Sequence, residues 1–153
     1  MITKMKKLSL ILVVALLATA CCNCRNASPK NHKPLNATEW TLWQMNGRNV
    51  AADLTEGKAP TLVLSADGSY GGFGGCNSYG GEFKITPSEI KYQKESVGKI
   101  EFGPMYSTKR YCPDDRFEYA FFNVLDGVDS FTIEGDVLYL FEGGELKLVF
   151  KAK

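Results

Sequence analysis

Histidine is nearly absent from this chain: His32 is the only one in 153 residues. Ser–His and Cys–His nucleophilic pairs need an imidazole base beside the nucleophile. His32 lies in a stretch rich in proline and asparagine, so such pairs are excluded from the folded part. Long apolar runs are missing too. The longest, residues 8–17, has ten positions with Ser9 as its one polar residue, whereas a helix crossing a bilayer needs about 20. Nor is there an excess of one charge, since 18 basic and 17 acidic side chains leave +1. That balance excludes the basic field by which proteins hold nucleic acid.

The N-terminus is informative. Lys4, Lys6 and Lys7 form a positive start without an acid, residues 8–17 have the length of a signal-peptide core, and Ala18-Thr19-Ala20 runs directly into Cys21. Small residues abutting a cysteine resemble a lipobox, the pattern read by lipoprotein signal peptidase. Residues 1–20 are therefore expected to be a signal peptide. Cys21 would be the lipidated N-terminus, since two or more acyl chains anchor stably where one does not. Without the three lysines the side-chain balance moves from +1 to −2. No aspartate follows Cys21, which points to the outer membrane, facing the periplasm, in a Gram-negative host.

Residues 21–37 carry two prolines, Pro29 and Pro34, and little apolar bulk, the composition of a flexible tether. Cys22, Cys24 and His32 within it fall short of the four ligands with paired spacing that structural zinc requires, so no metal is expected. Residues 38–153 are expected to form one domain, a size that buries a single core.

Its pattern is of short strands and one helix. Residues 39–45 end at Asn46-Gly47, a type I′ turn signal. Residues 61–64 and 69–74 flank Ala66-Asp67-Gly68. Residues 80–85 and 89–92 are expected to pair across Pro87-Ser88. Residues 130–134 and 136–141 meet at Gly135, and residues 145–151 follow Gly143-Gly144, with Leu146, Leu148 and Phe150 facing inward. Residues 113–127 carry Phe117, Ala120, Phe121, Val124, Leu125 and Val128 at helical spacing. Pro113 suits a first turn, Asp114 and Asp115 suit its positive end, and Gly127 suits its stop. The fold class is α+β: a small antiparallel, strongly curved sheet, half-barrel or conical and barrel-like, packed by one amphipathic helix.

Cys76 and Cys112 are the two domain cysteines. An oxidising compartment favours a disulfide between them, with two buried thiols as the other reading and a redox pair, lacking Cys-x-x-Cys spacing, as a third. Residues 71–81 contain six glycines. They lack the lysine and Ser/Thr of a P-loop, so they read as a sharp bend with close backbone approach.

Gly75-Cys76-Asn77-Ser78-Tyr79-Gly80-Gly81-Glu82-Phe83 resembles the GCN-x-Y-x-G-x-Y/F signature of META domains. Ser107-Thr108-Lys109-Arg110-Tyr111-Cys112 is similar to that family's S-T-x-x-x-C signature, and Glu118, Phe121, Phe122 and Leu125 match the segment that follows. The run Lys109-Arg110-Tyr111 is more polar than the family's usual Arg-Met-Ala. The resemblance covers roughly residues 35–150 and implies a small barrel-like sheet with a packed helix. It implies structural roles for Gly75, Cys76, Asn77, Gly80, Thr108 and Cys112, and neither enzymatic activity nor a cofactor. The functional expectation is a non-enzymatic, HslJ-like envelope lipoprotein that supports envelope maintenance or stress tolerance by binding a partner or a hydrophobic ligand. Its aromatics Trp40, Trp43, Phe73, Tyr79, Phe83, Tyr106 and Tyr111 are candidates for core or mouth. The alternative is a secretion pilot or assembly factor, with a thiol-redox or hydrolytic enzyme behind it.

Overall fold

The computed structural model describes residues 32–52, 54, 58–87 and 97–153. Ten strands and one α-helix occur among them: β1 (Glu39–Met45), β2 (Arg48–Asn49), β3 (Thr61–Leu64), β4 (Ser69–Phe73), β5 (Ser78–Pro87), β6 (Val97–Phe102), β7 (Tyr106–Ser107), α1 (Arg116–Asp126), β8 (Ser130–Glu134), β9 (Val137–Glu142) and β10 (Glu145–Ala152). Neighbours run β10-β9-β8-β6-β5-β4-β3-β1, and β10 pairs back onto β1 from Trp40↔Ala152 to Met45↔Leu148. The curved sheet is thus a closed, eight-stranded antiparallel barrel, with β2 and β7 as short additions on β1 and β5. Closure between the first and last strands leaves neither with a free edge, which removes the usual template for aggregation.

A barrel of eight strands has an interior just wide enough for side chains to fill. Here Trp40, Leu62, Leu64, Leu138, Leu140, Leu148 and Phe150 fill it, each fully buried. The buried Trp40 indole donates its N–H to the Leu35 carbonyl at 3.1 Å. A helix reaches the interior of a closed barrel only through an open end. Phe121 and Leu125 of α1 are fully buried in the same core cluster, while Tyr119 on the same helix is exposed. Therefore α1 closes one mouth.

Alternating strand direction sorts the connections between the two ends. The helix mouth carries Asn46-Gly47, the β4–β5 loop and Gly143-Gly144. The opposite mouth carries the Gly68 and Gly135 turns and the point where the chain enters the domain. There Lys33 N–H donates to Gly135 O and Ala37 N–H to Leu64 O, while Gly135 N–H donates to His32 Nδ1 at 3.2 Å. Residues 32–37, which composition places in the tether, are therefore fastened to the barrel, with Leu35 buried. Their few apolar atoms and backbone pairs suffice because they lie against a formed sheet.

The Asn46-Gly47 turn has φ of 51° and 75°, as a type I′ hairpin requires, and Gly68 and Gly135 take positive φ at their turns. The partner of β5 beyond Phe83 is β6, with Phe83↔Phe102 through Pro87↔Gly98. The strand expected at residues 89–92 lies outside the described residues. Sequence pattern misses β6 because glycine stands at 98, an inward position where an apolar side chain would mark a strand. The structure uses Gly98 because an added Cβ would stand 2.9 Å from the Phe131 ring.

Two local expectations are corrected, while Gly127 ends α1 as expected, with φ −81°. The helix begins at Arg116, not Pro113: Asp114 Oδ1 accepts the Arg116 N–H at 3.1 Å and its carboxylate grips the guanidinium, turning the chain before the helix. Leu146 does not join the inward face, because a register shift between Leu146 and Leu148 turns it outward.

That shift separates two leucines on neighbouring strands. Leu140→Ala is expected to cost about 2–5 kcal/mol, against less than about 0.5 kcal/mol for Leu146→Ala, measured by urea unfolding. Equal losses would contradict the described register.

Candidate functional site: a pinned loop at the helix mouth

The β4–β5 connection, residues 74–77, folds tightly, with Gly74 N–H donating to Asn77 O at 2.7 Å. Gly75 sits at φ 125°, a conformation that L side chains rarely adopt. A Cβ on Gly74 would stand 2.5 Å from the Phe122 ring and 2.9 Å from a Glu118 carboxylate oxygen, so backbone and helix approach closely there. The glycine-rich stretch therefore serves the bend and close approach read from its composition.

Glu118, in the first turn of α1, points into this loop. Its Oε2 accepts the backbone N–H groups of Cys76 (2.8 Å) and Asn77 (2.5 Å), and its Oε1 accepts the Asn77 amide at 2.8 Å. Asn77 carries the connection onward. Its Oδ1 accepts the Thr108 hydroxyl at 2.9 Å and the Arg110 backbone N–H at 2.8 Å. Ser78 N–H donates to the Thr108 hydroxyl oxygen at 3.2 Å, and Thr108 N–H donates to Ser78 O at 2.9 Å. Asn77 is 6 % exposed and Glu118 7 %. Both belong to a satisfied polar network of the kind that fixes one arrangement, because leaving any member unpaired is costly.

The structure joins Cys76 to Cys112 in a disulfide, with Cα atoms 6.3 Å apart. Crosslinking residues 36 apart in sequence stabilises by roughly 3–4 kcal/mol on chain-entropy grounds. Gly75, Cys76, Asn77, Thr108 and Cys112 thus converge on one loop. Gly80 lies just beyond it, facing the Tyr106 ring, where a Cβ would stand 2.7 Å from the hydroxyl. Cys21 lies outside the described residues.

Aromatic packing backs the network. Tyr79 is buried, donates its hydroxyl to Thr61 O at 2.8 Å, and meets the Phe121 and Phe122 rings at 5.7 and 5.2 Å. Burial pushes its phenol well above the usual range. Tyr70 is pushed up to about 12, first by burial and then by Asp126 and Tyr106. Of the other candidate aromatics, Trp40 and Phe83 are core and Phe73 is half-buried, while Trp43, Tyr106 and Tyr111 are exposed. At the start of α1, the Arg116 hydrogen bonds hold the half-buried Asp114 carboxyl down at about 2.

In the sequence, Glu118 stands out only as part of a helical segment that matches the family, with no sign of its role. The available signal is an acid at i relative to Phe121 (i+3) and Leu125 (i+7), at the N-terminal end of the buried stripe. Chemically, both oxygens of this carboxylate are occupied by donors and both cysteines are bridged. Among the described residues, no group of three or more His, Cys, Asp or Glu stands together to hold a metal.

The META domain model matches residues 33–153. The chain belongs to the META domain family. A solved NMR structure of a protein from Burkholderia xenovorans is similar to it, with 27 % identity, a TM-score of 0.57, and coverage of 78 % of this chain and 83 % of that one. Comparison with curated proteins finds no match. The two META signatures now have a physical reading: one supplies the bend and the Asn77 amide, and the other supplies the Thr108 hydroxyl, the Arg110 N–H and the second cysteine.

Glu118→Gln keeps the shape but places an amide donor against backbone or side-chain donors. It is expected to destabilise this META domain by roughly 2–3 kcal/mol, with Asn77→Ala similar and the double variant well short of the sum, measured by denaturant unfolding with the disulfide intact. Additive losses would contradict a shared network.

Proposed function

We propose that this META domain protein is a lipid-anchored envelope protein, held at the outer membrane by acylated Cys21 and facing the periplasm, that works by binding another protein and not by catalysis. The observation that carries the choice of partner over hydrophobic ligand is the filled barrel, whose interior is occupied by Trp40, Leu62, Leu140 and Phe150. A ligand in that space would have to displace core side chains that interdigitate at close to crystal density. The non-enzymatic reading is supported by the commitment of Glu118 to three donors and by the absence of any histidine from residues 38–153. Among the described residues no helix is long and apolar enough to cross a membrane, so the anchor in this reading is the lipid on Cys21.

Cys21→Ser is expected to move the protein from the membrane fraction to the soluble fraction of its natural host. Fractionation with blotting reads the result, and unchanged membrane retention would overturn the anchor. Stoichiometric co-purification of a protein with the detergent-solubilised chain would support the binding role.

A further inference from the structure

The three most exposed large hydrophobic side chains among the described residues are Tyr106 (71 %), Tyr111 (92 %) and Tyr119 (69 %). All belong to the chain around the pinned loop, two in residues 106–111 and one on the first turns of α1. Between the first two lie Lys109 and Arg110, both exposed, and neither takes part in an ion pair among the described residues. Exposed tyrosines beside unpaired cations are ordinary on a mobile loop. This segment is held instead. Tyr106 and Ser107 pair with Gly80 and Tyr79, Thr108 and the Arg110 N–H bond to Asn77, and Cys112 is bridged to Cys76. The ordering cost that a flexible loop would meet on binding is already met. Tyrosine and arginine, with few rotatable bonds per area or a rigid fork of donors, dominate protein–protein hot spots.

Residues 106–111 lie at the helix mouth, the opposite end of the barrel from Gly135, where Lys33 is bonded. Their side chains select among occupants. A glycan site would call for amide and carboxylate side chains beside the rings, and residues 106–111 contain neither. The two cations fit an acidic protein surface.

We propose that Tyr106, Lys109, Arg110 and Tyr111 form a docking surface for an acidic face of a partner protein at the helix mouth of the barrel. It rests on the partner-binding reading above and not on the lipid anchor. The side chains of Lys109 and Arg110 take no part in the clamp, where only the Arg110 backbone N–H is used. Both can therefore be changed without touching the network.

The test places a photoreactive phenylalanine analogue at position 111 of the full chain, and separately at position 134 at the opposite mouth, and irradiates living cells. The expected result is one discrete protein adduct from position 111 and none from position 134. In the Lys109→Glu/Arg110→Glu background the adduct falls at least tenfold while the unfolding midpoint stays unchanged. Mass spectrometry of the adduct is expected to place the crosslink in a peptide of net negative charge. No adduct at 111, the same adduct from 134, an adduct that survives charge reversal, a basic or neutral crosslinked peptide, or a lipid or glycan adduct would each overturn the proposal. If Cys21→Ser releases the protein and the adduct persists, anchor and surface both stand. If Cys21→Ser is retained at the membrane, the anchor fails independently of the crosslink.

Discussion

A single buried carboxylate organises the helix mouth of this domain. Glu118 projects from the face of α1 that also carries the fully buried Phe121 and Leu125, and there it meets two backbone N–H groups and an amide rather than apolar atoms. A charge on a buried stripe is costly unless its lone pairs are taken up. That requirement fixes the angle at which the helix meets the β4–β5 loop. Once Cys76 and Asn77 are held there, Asn77 presents its own oxygen to Thr108 and Arg110, and the segment leading back to α1 is held in turn. Three stretches distant in sequence become one unit around two side chains.

The barrel explains why such a clamp is needed. Strand pairing satisfies the backbone around the wall, but β8 and β6 pair only over Val97–Lys99, and beyond that the wall gives way to β7 and α1. The chain there has no long ladder to hold it. Polar side chains, a disulfide and ring packing among Tyr79, Phe121 and Phe122 take over from sheet hydrogen bonds. Gly74 lets backbone and helix come close enough for this to work, and Gly75 allows the positive φ of the bend.

Much of the wall was legible in the sequence because each hairpin announced itself locally. Asn46-Gly47, Ala66-Asp67-Gly68, Gly135 and Gly143-Gly144 sit at turns with the backbone geometry those residues favour. The helix is legible from its stripe, though Pro113 and the two aspartates point to a start three residues before Arg116. Nothing in residues 113–115 alone says that the Asp114 carboxylate will bond forward to Arg116 outside the helix. Barrel closure was not legible, because pairing of Trp40 with Ala152 joins residues at opposite ends of the domain. The role of Glu118 was hidden for a similar reason. Its partners lie about forty positions away, and periodicity reports only that a residue faces inward, not what it meets there. Leu146 shows the converse limit, since alternation assigns it to the core while a bulge at its neighbour turns it out.

In the folded protein the Glu118–Asn77 network suffices to keep the loop in place without the disulfide, the bridge acting chiefly on the unfolded chain. Amide hydrogen exchange at Cys76, Asn77 and Arg110, before and after reduction of the disulfide, separates the two. All three amides are expected to remain strongly protected in the reduced, folded protein, with protection falling only as global stability falls. Rapid exchange of these amides on reduction, while the barrel strands stay protected, would show instead that the bridge alone pins the loop.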